Sequence, residues 1–545
     1  MELTRREALA ALLGAPLALE ACRGRSAPAP IAGSIRGASM DAGHRLRALP
    51  GNVEPPRERR EVGVAVVGAG PSGLSAAWRL ARLGEPDFVV FDLEARAGGT
   101  SQFGDDAVVP YPWGAHYVPM PSEENRALVT LLAEMGAIKV GPGGALVAAE
   151  EQLVRAPEER VFYKGKWHEG LYLRAGASPD DLRQLDAFQA AVGAWVSFRD
   201  GRGRRAFTLP MAHASDDAEV TALDRTTMAD WMAARGFTSP RLLWLVDYAC
   251  RDDYGLRPEH TSAYAGIFYF ASRMPEAGAE AAPLLSWSNG NGRIVEHLLR
   301  AAEGRVRTGA LVTQLVPREA GVDLTVLDVA TGRAEAWHAR EVVFAAPKLV
   351  AARVIRPWRD APPPHLAAFD YGAWMVANVS LRTRPRSRGF PEAWDNVLYE
   401  SPSLGYVVAT HQRLLDWGPT VWTYYFPMTD ESGKAGRERL LALDHAAWCD
   451  VITTDLARAH REPQAFTDHV EKIDVWRWGH AMARPKPGAL WSGARARASQ
   501  PLGSIHFAHS DLSGMGLFEE AQYWGVAAAE AILRARGRAF APLIA

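Results

Sequence analysis

The clearest pattern along the chain joins an apolar run, a glycine-rich turn and an amphipathic stretch. Residues 62–67 are mostly valine, as in a buried parallel strand, and residues 74–83 carry apolar side chains at helical spacing. Between them lies Gly-Ala-Gly-Pro-Ser-Gly, residues 68–73, and a second apolar run, residues 88–91, ends at Asp92. This order predicts a β-α-β unit that binds a dinucleotide.

Each residue type in this turn has a physical task. Gly68 allows the chain to turn sharply, Gly70 lets the backbone approach a pyrophosphate, and Gly73 lets the helix pack closely on the strand. The helix N-terminus offers free N–H groups to the phosphates. An acid after the second strand accepts hydrogen bonds from ribose hydroxyls. We prefer Asp92 to Glu94 for that role because Asp92 directly ends the apolar run.

The remaining chain carries two other patterns. Residues 121–283 are mainly helical in spacing, with Thr226 as a candidate N-cap of one helix. Residues 351–499 contain strand-like runs at 374–381 and 420–426. Together they predict a sheet-and-helix substrate domain, with the active site at its interface with the dinucleotide domain.

The first sixty residues form a separate region. Arg5 and Arg6 precede a weakly apolar run at 8–19, which resembles a twin-arginine export signal; an amphipathic helix of a cytoplasmic protein is the alternative. Cys22 stands where a lipoprotein signal places its lipidated cysteine, although Glu20 fits that pattern poorly. We therefore expect a signal at 1–22, a flexible linker at 23–60, and export in the folded state to the periplasm, with a lipid anchor at Cys22 as an open possibility.

Composition and charge exclude several function classes. Apolar residues make up 48% of the chain and charged residues 23%, as in ordinary globular proteins. A formal net charge of −2 gives no reason to expect a nucleic-acid partner. The three cysteines form no Cys-x-x-Cys pair and no zinc-type spacing occurs, so we expect no metal. The absence of Gly-x-Ser-x-Gly argues against an α/β-hydrolase.

Further motifs follow the turn in a fixed order. Arg-Ala-Gly-Gly at 96–99 and Trp-Gly-Ala-His at 113–116 come first, and Trp-Ser-Asn-Gly-Asn-Gly at 287–292 precedes a helical stretch. A strand-like run through Val312 and the segments 342–347 and 505–525 complete the series. This succession resembles the flavin-containing amine oxidase and phytoene desaturase superfamily. Residues 261–273 resemble its exported bacterial members, including the spermidine-dehydrogenase-like group.

The resemblance implies FAD as the cofactor, bound non-covalently because no cysteine stands in the C-terminal motif. It implies an α/β fold in which a Rossmann-like FAD-binding domain, discontinuous in sequence, carries an inserted α+β substrate domain. The FAD-binding domain would comprise 61–120, 284–350 and 500–536, and the substrate domain 121–283 and 351–499. The residues implied to contact FAD are Gly68, Gly70, Ser72, Gly73, Asp92, Arg96, Gly98, Gly99, Gly114, Ala115, His116, Val312, Ala346, Asp511 and Met515.

Flavin accepts a hydride at N5, so the protein needs to supply only a substrate slot, an orienting group and a base where one is required. The candidate segments are 253–271 and 476–482. In the second segment His480 is a candidate base and Trp478 a candidate aromatic wall, with structural roles as the alternative for both. Two features depart from the amine oxidases: Leu517 replaces a common tyrosine, and no lysine matches the one beside N5 in that family.

The predicted function is therefore the dehydrogenation of a small organic substrate, an amine or polyamine, by hydride transfer to flavin N5. Two alternatives stay open: a desaturase or isomerase of an apolar polyene, and a non-catalytic flavoprotein that relays electrons. The electron acceptor can be oxygen, a quinone or a redox protein.

Overall fold

The computed structural model describes residues 30–48, 58–413, 415–461 and 465–544. Arg5, Arg6 and Cys22 lie outside these ranges, so export and lipid attachment stay predictions. The strands are β1 (Ile35–Gly37), β2 (Arg59–Val67), β3 (Phe88–Phe91), β4 (Phe103–Gly104), β5 (Tyr111–Pro112), β6 (Tyr117–Pro119), β7 (Ile138–Val140), β8 (Leu146–Ala148), β9 (Glu159–Tyr163), β10 (Lys166–Glu169), β11 (Leu284–Ser286), β12 (Val306–Arg307), β13 (Ala310–Arg318), β14 (Gly321–Asp328), β15 (Ala334–Phe344), β16 (Tyr371–Leu381), β17 (Asp395–Leu398), β18 (Gly405–Val408), β19 (Thr420–Met428), β20 (Val470–Ala483) and β21 (Ile505–Phe507).

The α-helices are α1 (Met40–Ala48), α2 (Pro71–Arg82), α3 (Arg126–Glu134), α4 (Pro179–Ser197), α5 (Ala218–Ala222), α6 (Met228–Ala233), α7 (Pro240–Tyr254), α8 (Ala263–Ala271), α9 (Gly292–Ala301), α10 (Lys348–Val354), α11 (Arg356–Asp360), α12 (Gly433–Ala442), α13 (His445–Ala459), α14 (Phe466–His469), α15 (Ala494–Ala498) and α16 (Phe518–Ala535). Within the part of the chain that the structure describes, no helix combines the length and the apolar character needed to cross a bilayer.

The first sheet has seven strands in the order β12-β3-β2-β15-β14-β13, and β21 pairs with the end of β15. Strands β12, β3, β2, β15 and β21 run parallel, whereas β14 and β13 are antiparallel to their neighbours. The valine-rich run of β2 is buried, as its composition predicts, and helices α2 and α16 pack beside it. This is a Rossmann-like α/β arrangement, and the predicted fold class is confirmed.

The second sheet has eight strands in the order β1-β20-β16-β19-β18-β17-β9-β10. Its central strands β16 and β19 contain the predicted runs 374–381 and 420–426 and are buried along their whole length. One face packs on α13 through Trp422, Trp448 and Ile452. The other face carries Trp374, Tyr425 and further aromatic side chains. One face of this sheet therefore packs in an ordinary hydrophobic core, and the other presents aromatic side chains that can line a site.

Helices α4 to α8 form a third, helical layer with its own apolar core, including Phe188, Trp231 and Tyr264. The N-cap of α6 is Thr227, whose side chain accepts a hydrogen bond from the Asp230 N–H. The prediction of Thr226 was wrong by one residue. The Thr226 carbonyl instead accepts from the Ala263 N–H at 2.9 Å, which fixes Thr226 in a bridge between two segments.

Residues 30–48, here called the N-terminal strap, join the two sheets. Strand β1 pairs in parallel with β20 at the edge of the second sheet, with Ile35 opposite Val475. The Ser39 N–H and Oγ then donate to the Glu94 carboxylate, at 2.9 and 2.6 Å, beside the first sheet. The prediction of a flexible linker over 23–60 is wrong for these residues. A strand of three residues docks on an existing sheet edge without a hydrophobic pattern of its own.

The Ser39–Glu94 contact yields a prediction about local opening. Ser39→Ala removes the partly exposed hydrogen bond from the Ser39 hydroxyl to Glu94 but keeps the one from the Ser39 N–H, and it should weaken the attachment of the strap by about 1 kcal/mol. Trypsin cleavage of the native protein at Arg36, Arg45 and Arg47, followed by mass spectrometry, should then accelerate about fivefold, because these sites become accessible when the strap opens. Ser499→Ala, which removes an exposed bond to the Ala496 carbonyl, is the control. An unchanged cleavage rate would show that this hydrogen bond does not hold the strap.

Candidate active site

The glycine turn joins β2 to α2 through backbone contacts that leave no room for a side chain at Gly73. A Cβ on Gly73 would lie 1.8 Å from the Gly68 carbonyl oxygen. Helix α2 begins with Gly70 as N-cap and has no side-chain cap, so its first N–H groups are uncommitted. The Ser72 Oγ is buried and has no hydrogen-bond partner. An uncapped helix N-terminus with an unpaired buried hydroxyl fits a bound pyrophosphate.

Asp92 lies beside this turn. Its carboxylate accepts from the Ala69 N–H at 2.5 Å and from the Glu94 N–H at 2.8 Å. Burial raises the pKa of Asp92 to about 6, against the lowering effect of these two N–H groups. The Glu94 carboxylate is engaged by Ser39 of the strap. Of the two candidate acids, only Asp92 therefore contacts the turn.

The structure places the other residues predicted near the cofactor either beside the turn or apart from it. Gly98 donates its N–H to the Ala69 carbonyl at 2.8 Å, which brings the 98–99 loop to the turn. The Arg96 guanidinium lies over the Phe103 ring. Ala346 follows β15 next to Gly68, whereas Val312 packs in the core beside β2 and β3.

A cavity of about 200 Å³ lies on the aromatic face of the second sheet. Successive strands contribute Trp478 from β20, Trp374 from β16, Tyr425 from β19, Val407 from β18, Asp395 from β17 and Glu159 from β9. Its other walls come from Gly114–Tyr117, from helices α7 and α8, and from residues 516–519. The cavity therefore lies between the segments predicted to border the flavin and the aromatic face of the second sheet.

Hydrogen bonds and ring contacts hold the predicted Gly114-Ala115-His116 segment in the cavity wall. The Trp478 N–H donates to the Trp113 carbonyl at 2.6 Å, and the Tyr425 hydroxyl donates to the Gly114 carbonyl at 2.9 Å. The His116 ring packs against Trp394 and Tyr425 with centroids 5.2 and 5.0 Å apart. Burial lowers the pKa of His116 to about 4, so this imidazole is neutral at physiological pH.

Carboxyl groups are the polar feature of the cavity that sequence reasoning did not assemble. Five line it: Glu159, Asp252, Asp253, Asp395 and Glu519. Arg273 is the one cationic side chain among the described lining residues, and it forms an ion pair with Asp253 at 3.0 Å. Asp253 and Glu519 lay in predicted segments, and Asp252 directly precedes one of them. The five carboxyl groups come from four different elements, and nothing local in the sequence links Glu159 or Asp395 to the others.

Burial raises the pKa of these carboxyl groups. Burial raises the pKa values of Glu159 and Glu519 to about 7, and it holds the pKa of Asp395 well above its usual range, with the neighbouring Glu159 carboxylate as the second cause. The pKa values of Asp252 and Asp253 are also raised by burial. Isolated buried carboxylates are costly, so this cavity favours either protons or a bound cation.

Three predicted site residues lie elsewhere. His480 does not line the cavity and lies beside Tyr371 instead. Burial is the main cause that lowers the pKa of His480 to about 4, and the positive charge of Arg437 is the second cause. The reason for its position is a bulge: β20 advances from Trp478 to Met482 while its partner β16 advances only from Trp374 to Gly372. The strict alternation that would place His480 beside Trp478 is thereby broken.

Asp511 and Met515 also have other surroundings than predicted. The Asp511 carboxylate accepts from the Tyr371 hydroxyl at 2.5 Å and the Lys348 N–H at 2.8 Å, and pairs with His509. These contacts engage the Asp511 carboxylate within the protein, and its predicted contact with the ribityl chain stays a prediction. Met515 is fully buried in the core of the helical layer, and the residues that follow it, 516–519, reach the cavity instead.

Comparison with known proteins agrees with this architecture. Residues 66–135 match the family described as NAD(P)-binding Rossmann-like domain. No curated protein matches the chain by sequence. Wild-type putrescine oxidase bound to putrescine aligns with a TM-score of 0.64 and 17% identity, covering 88% of this chain and 100% of that one. Cyclohexylamine oxidase from Brevibacterium oxydans IH-35A aligns with 0.61 and 17%, covering 88% and 100%.

A CLA-producing fatty acid isomerase from P. acnes also aligns, with a TM-score of 0.59 and 15% identity, covering 87% of this chain and 98% of that one. The predicted resemblance is confirmed at the level of the fold. Identities this low carry no information on the substrate. The chemistry must be argued from the cavity.

The close approach at the turn generates a stability prediction. Gly73→Ala should destabilise the protein by about 3 kcal/mol, because the new methyl group collides with the Gly68 carbonyl. Gly201→Ala is the matched control, since a Cβ there meets nothing within 4 Å. Thermal unfolding and soluble yield measure the difference. Equal melting temperatures for both variants would contradict the tight packing of α2 on β2.

Proposed function

We propose that this protein is an FAD-dependent oxidoreductase that dehydrogenates an amine held in the cavity. The observation that carries the proposal is the lining itself: five carboxyl groups and a wall of aromatic rings around one guanidinium that is already paired. Carboxylates and aromatic faces both attract ammonium groups. The two amine oxidases of similar fold support the reaction type without identifying the substrate.

FAD would be held by the turn and its neighbours. The uncapped N-terminus of α2 and Ser72 would bind the pyrophosphate, and Asp92 would bind the adenosine ribose. When bound, FAD supplies a two-electron acceptor that takes a hydride from the carbon next to nitrogen. The substrate C–N single bond becomes C=N, and the electrons leave with an acceptor such as oxygen, a quinone or a redox protein.

The protein's own groups must position the amine and remove its ammonium proton, because only the neutral amine can give up a hydride. His116 is neutral and packs at a tilt against Trp394 and Tyr425, so it serves as a wall of the slot. A carboxyl group with a pKa near 7, such as Glu159 or Glu519, can first pair with the ammonium and then take its proton. No step requires His480.

The two alternatives fit the cavity less well. An apolar polyene or a fatty carboxylate would leave the four acidic groups other than Asp253 without a cationic partner, which is unfavourable in a buried site. A protein that only relays electrons needs no such cavity beside its cofactor motifs. The amine is the substrate class that the lining favours.

The cofactor assignment predicts how flavin is held. Acid precipitation should release all flavin into the supernatant, since binding is non-covalent. Asp92→Ala should weaken FAD binding by about 1.5–3 kcal/mol, the value of hydrogen bonds to a charged group. Glu94→Ala is the control: it should keep its flavin while loosening the strap. Equal flavin occupancy in wild type and Asp92→Ala would show that Asp92 does not hold the ribose.

The amine assignment predicts a pH dependence. Carboxyl groups with pKa values raised to about 7 are protonated below that pH and ionised above it. Anaerobic reduction of the flavin by an amine should therefore speed up severalfold between pH 6 and pH 8, as anionic partners for the ammonium appear. Stopped-flow absorbance at the flavin band measures the rate. If no amine bleaches the flavin and a polyene does, the proposed reaction is wrong.

A further inference from the structure

Four aromatic side chains, here called the aromatic chain, lie in ring-to-ring contact between the cavity and the edge of the second sheet. Trp478 lines the cavity, and its ring centroid lies 5.1 Å from that of Trp476. The Trp476 ring is 5.0 Å from the Trp113 ring, which is in turn 5.0 Å from the Tyr111 ring. An unbroken path of π-systems therefore leads from the cavity wall into the protein.

The aromatic chain ends at Tyr111, beside a carboxylate that can take its proton. The Tyr111 hydroxyl donates to Asp474 Oδ2 at 3.5 Å. Asp474 Oδ1 accepts from the Ser34 hydroxyl of the N-terminal strap at 3.0 Å. Arg36 of the strap, whose side chain is 52% exposed, reaches the same carboxylate at 3.9 Å. Tyr111 is therefore separated from solvent by a thin layer of polar side chains.

The composition of the aromatic chain suits electron transfer. Indole and phenol lose an electron more readily than a phenyl ring, and all four members are Trp or Tyr. A tyrosine that loses an electron becomes strongly acidic, and Asp474 is in hydrogen-bond contact with its hydroxyl. Packing alone requires neither property, because phenylalanine also makes offset and edge-to-face ring contacts. An electron vacancy that starts at Trp478 can thus move inward and be trapped at Tyr111 by loss of the proton.

We propose that the aromatic chain carries a one-electron oxidation away from the cavity wall to Tyr111, and so protects the substrate site from oxidative damage. A one-electron oxidant at the cavity, for which light-excited flavin is the experimental probe, takes an electron from Trp478 and is itself reduced. Trp476 and then Trp113 refill the vacancy. Tyr111 gives up the last electron, and its hydroxyl proton passes to Asp474. A surface reductant such as ascorbate returns one electron to Tyr111, and Asp474 returns the proton.

This inference rests on the proposed function only because that function places flavin beside the cavity. The test illuminates the FAD-loaded protein with blue light, without amine, and with ferricyanide to remove the electron that the flavin takes up. Electron paramagnetic resonance of frozen samples identifies the radical that remains. We expect a tyrosyl radical in the wild type and a tryptophanyl radical in Tyr111→Phe. Absence of a tyrosyl radical in the wild type, or its survival in Tyr111→Phe, would overturn the inference.

Trp476→Phe tests the path itself. It keeps an aromatic ring and removes an N–H that has no hydrogen-bond partner among the described residues. The tyrosyl signal should be lost, since a phenyl ring does not pass the vacancy on. Trp374→Phe is the matched control: Trp374 lines the cavity opposite Trp478 in the sheet register, and its buried N–H is likewise unpartnered in the described structure. A tyrosyl signal that survives in Trp476→Phe, or that is lost equally in Trp374→Phe, would contradict this path.

Asp474→Asn tests the proton acceptor. The amide oxygen can still accept from Ser34, but the side chain no longer takes up a proton. The vacancy should then stay on Trp113, and a tryptophanyl radical should replace the tyrosyl radical. An undiminished tyrosyl signal in this variant would show that Asp474 is not the acceptor.

Damage at the cavity tests the protective role. After illumination in the presence of ascorbate, mass spectrometry should find more oxidised Trp478 in Trp476→Phe than in the wild type, because the surface reductant no longer repairs the cavity end. Equal oxidation of Trp478 in both proteins would remove the protective role.

Amine turnover separates this inference from the function on which it rests. Bleaching of the flavin by an amine, without a tyrosyl radical on illumination, leaves the proposed function standing and removes the inference. A tyrosyl radical at Tyr111 in a protein whose flavin no amine bleaches supports the aromatic chain and removes the proposed reaction.

Discussion

The structure depends on close backbone packing on two sides of helix α2. On one side, Gly73 lies against the Gly68 carbonyl; on the other, a Cβ on Gly525 of α16 would come within 2.1 Å of the Ser72 carbonyl. A larger residue at Gly73 would push α2 away from the sheet, and a larger residue at Gly525 would push α16 away from α2. Because α16 begins at Phe518, this packing also fixes the residues that enter the cavity, Gly516 to Glu519. One pair of glycines thus sets the dinucleotide turn and the cavity wall together.

The cavity combines groups that a protein interior ordinarily avoids. Buried carboxyl groups without cations are destabilising, and their raised pKa values express that cost. Such an arrangement persists where a ligand supplies the missing charge. The contrast with Asp253 is informative, since that acid has its own guanidinium partner, Arg273, at 3.0 Å. Glu159 and Glu519 have none, so an external cation would stabilise the charged form of either carboxyl group.

Local patterns in the sequence predicted the parts of the fold that local physics determines. The run at 88–91 is strand β3 with the same bounds, and the runs at 374–381 and 420–426 lie within β16 and β19. The turn was predicted because close packing and phosphate binding demand glycine at set spacings. The strap was missed because its order comes from the edge of β20 and from Glu94, both far away in sequence.

The candidate site was predictable to a lesser degree for the same reason. His480 was a candidate because an imidazole titrates near neutrality and because it lies in the segment 476–482, but a bulge in β20 leaves it outside the cavity. The carboxyl pair of Glu159 and Asp395 needs the parallel pairing of β9 with β17, two strands that are more than two hundred residues apart. Periodicity along the sequence does not predict which distant strands pair, so nothing in the sequence indicated that Glu159 and Asp395 are neighbours.

A continuous chain of contacts runs from the turn to the substrate sheet. Asp92 accepts from Ala69 of the turn and from the Glu94 N–H, and the Glu94 carboxylate holds Ser39. Five residues earlier in the strap, Ser34 donates to Asp474 of β20. The acid expected to bind the cofactor ribose is therefore two residues from the contact that fastens the strap. The same strap is paired with β20, the strand that carries Trp478. The strap therefore connects the predicted cofactor site to the wall of the cavity.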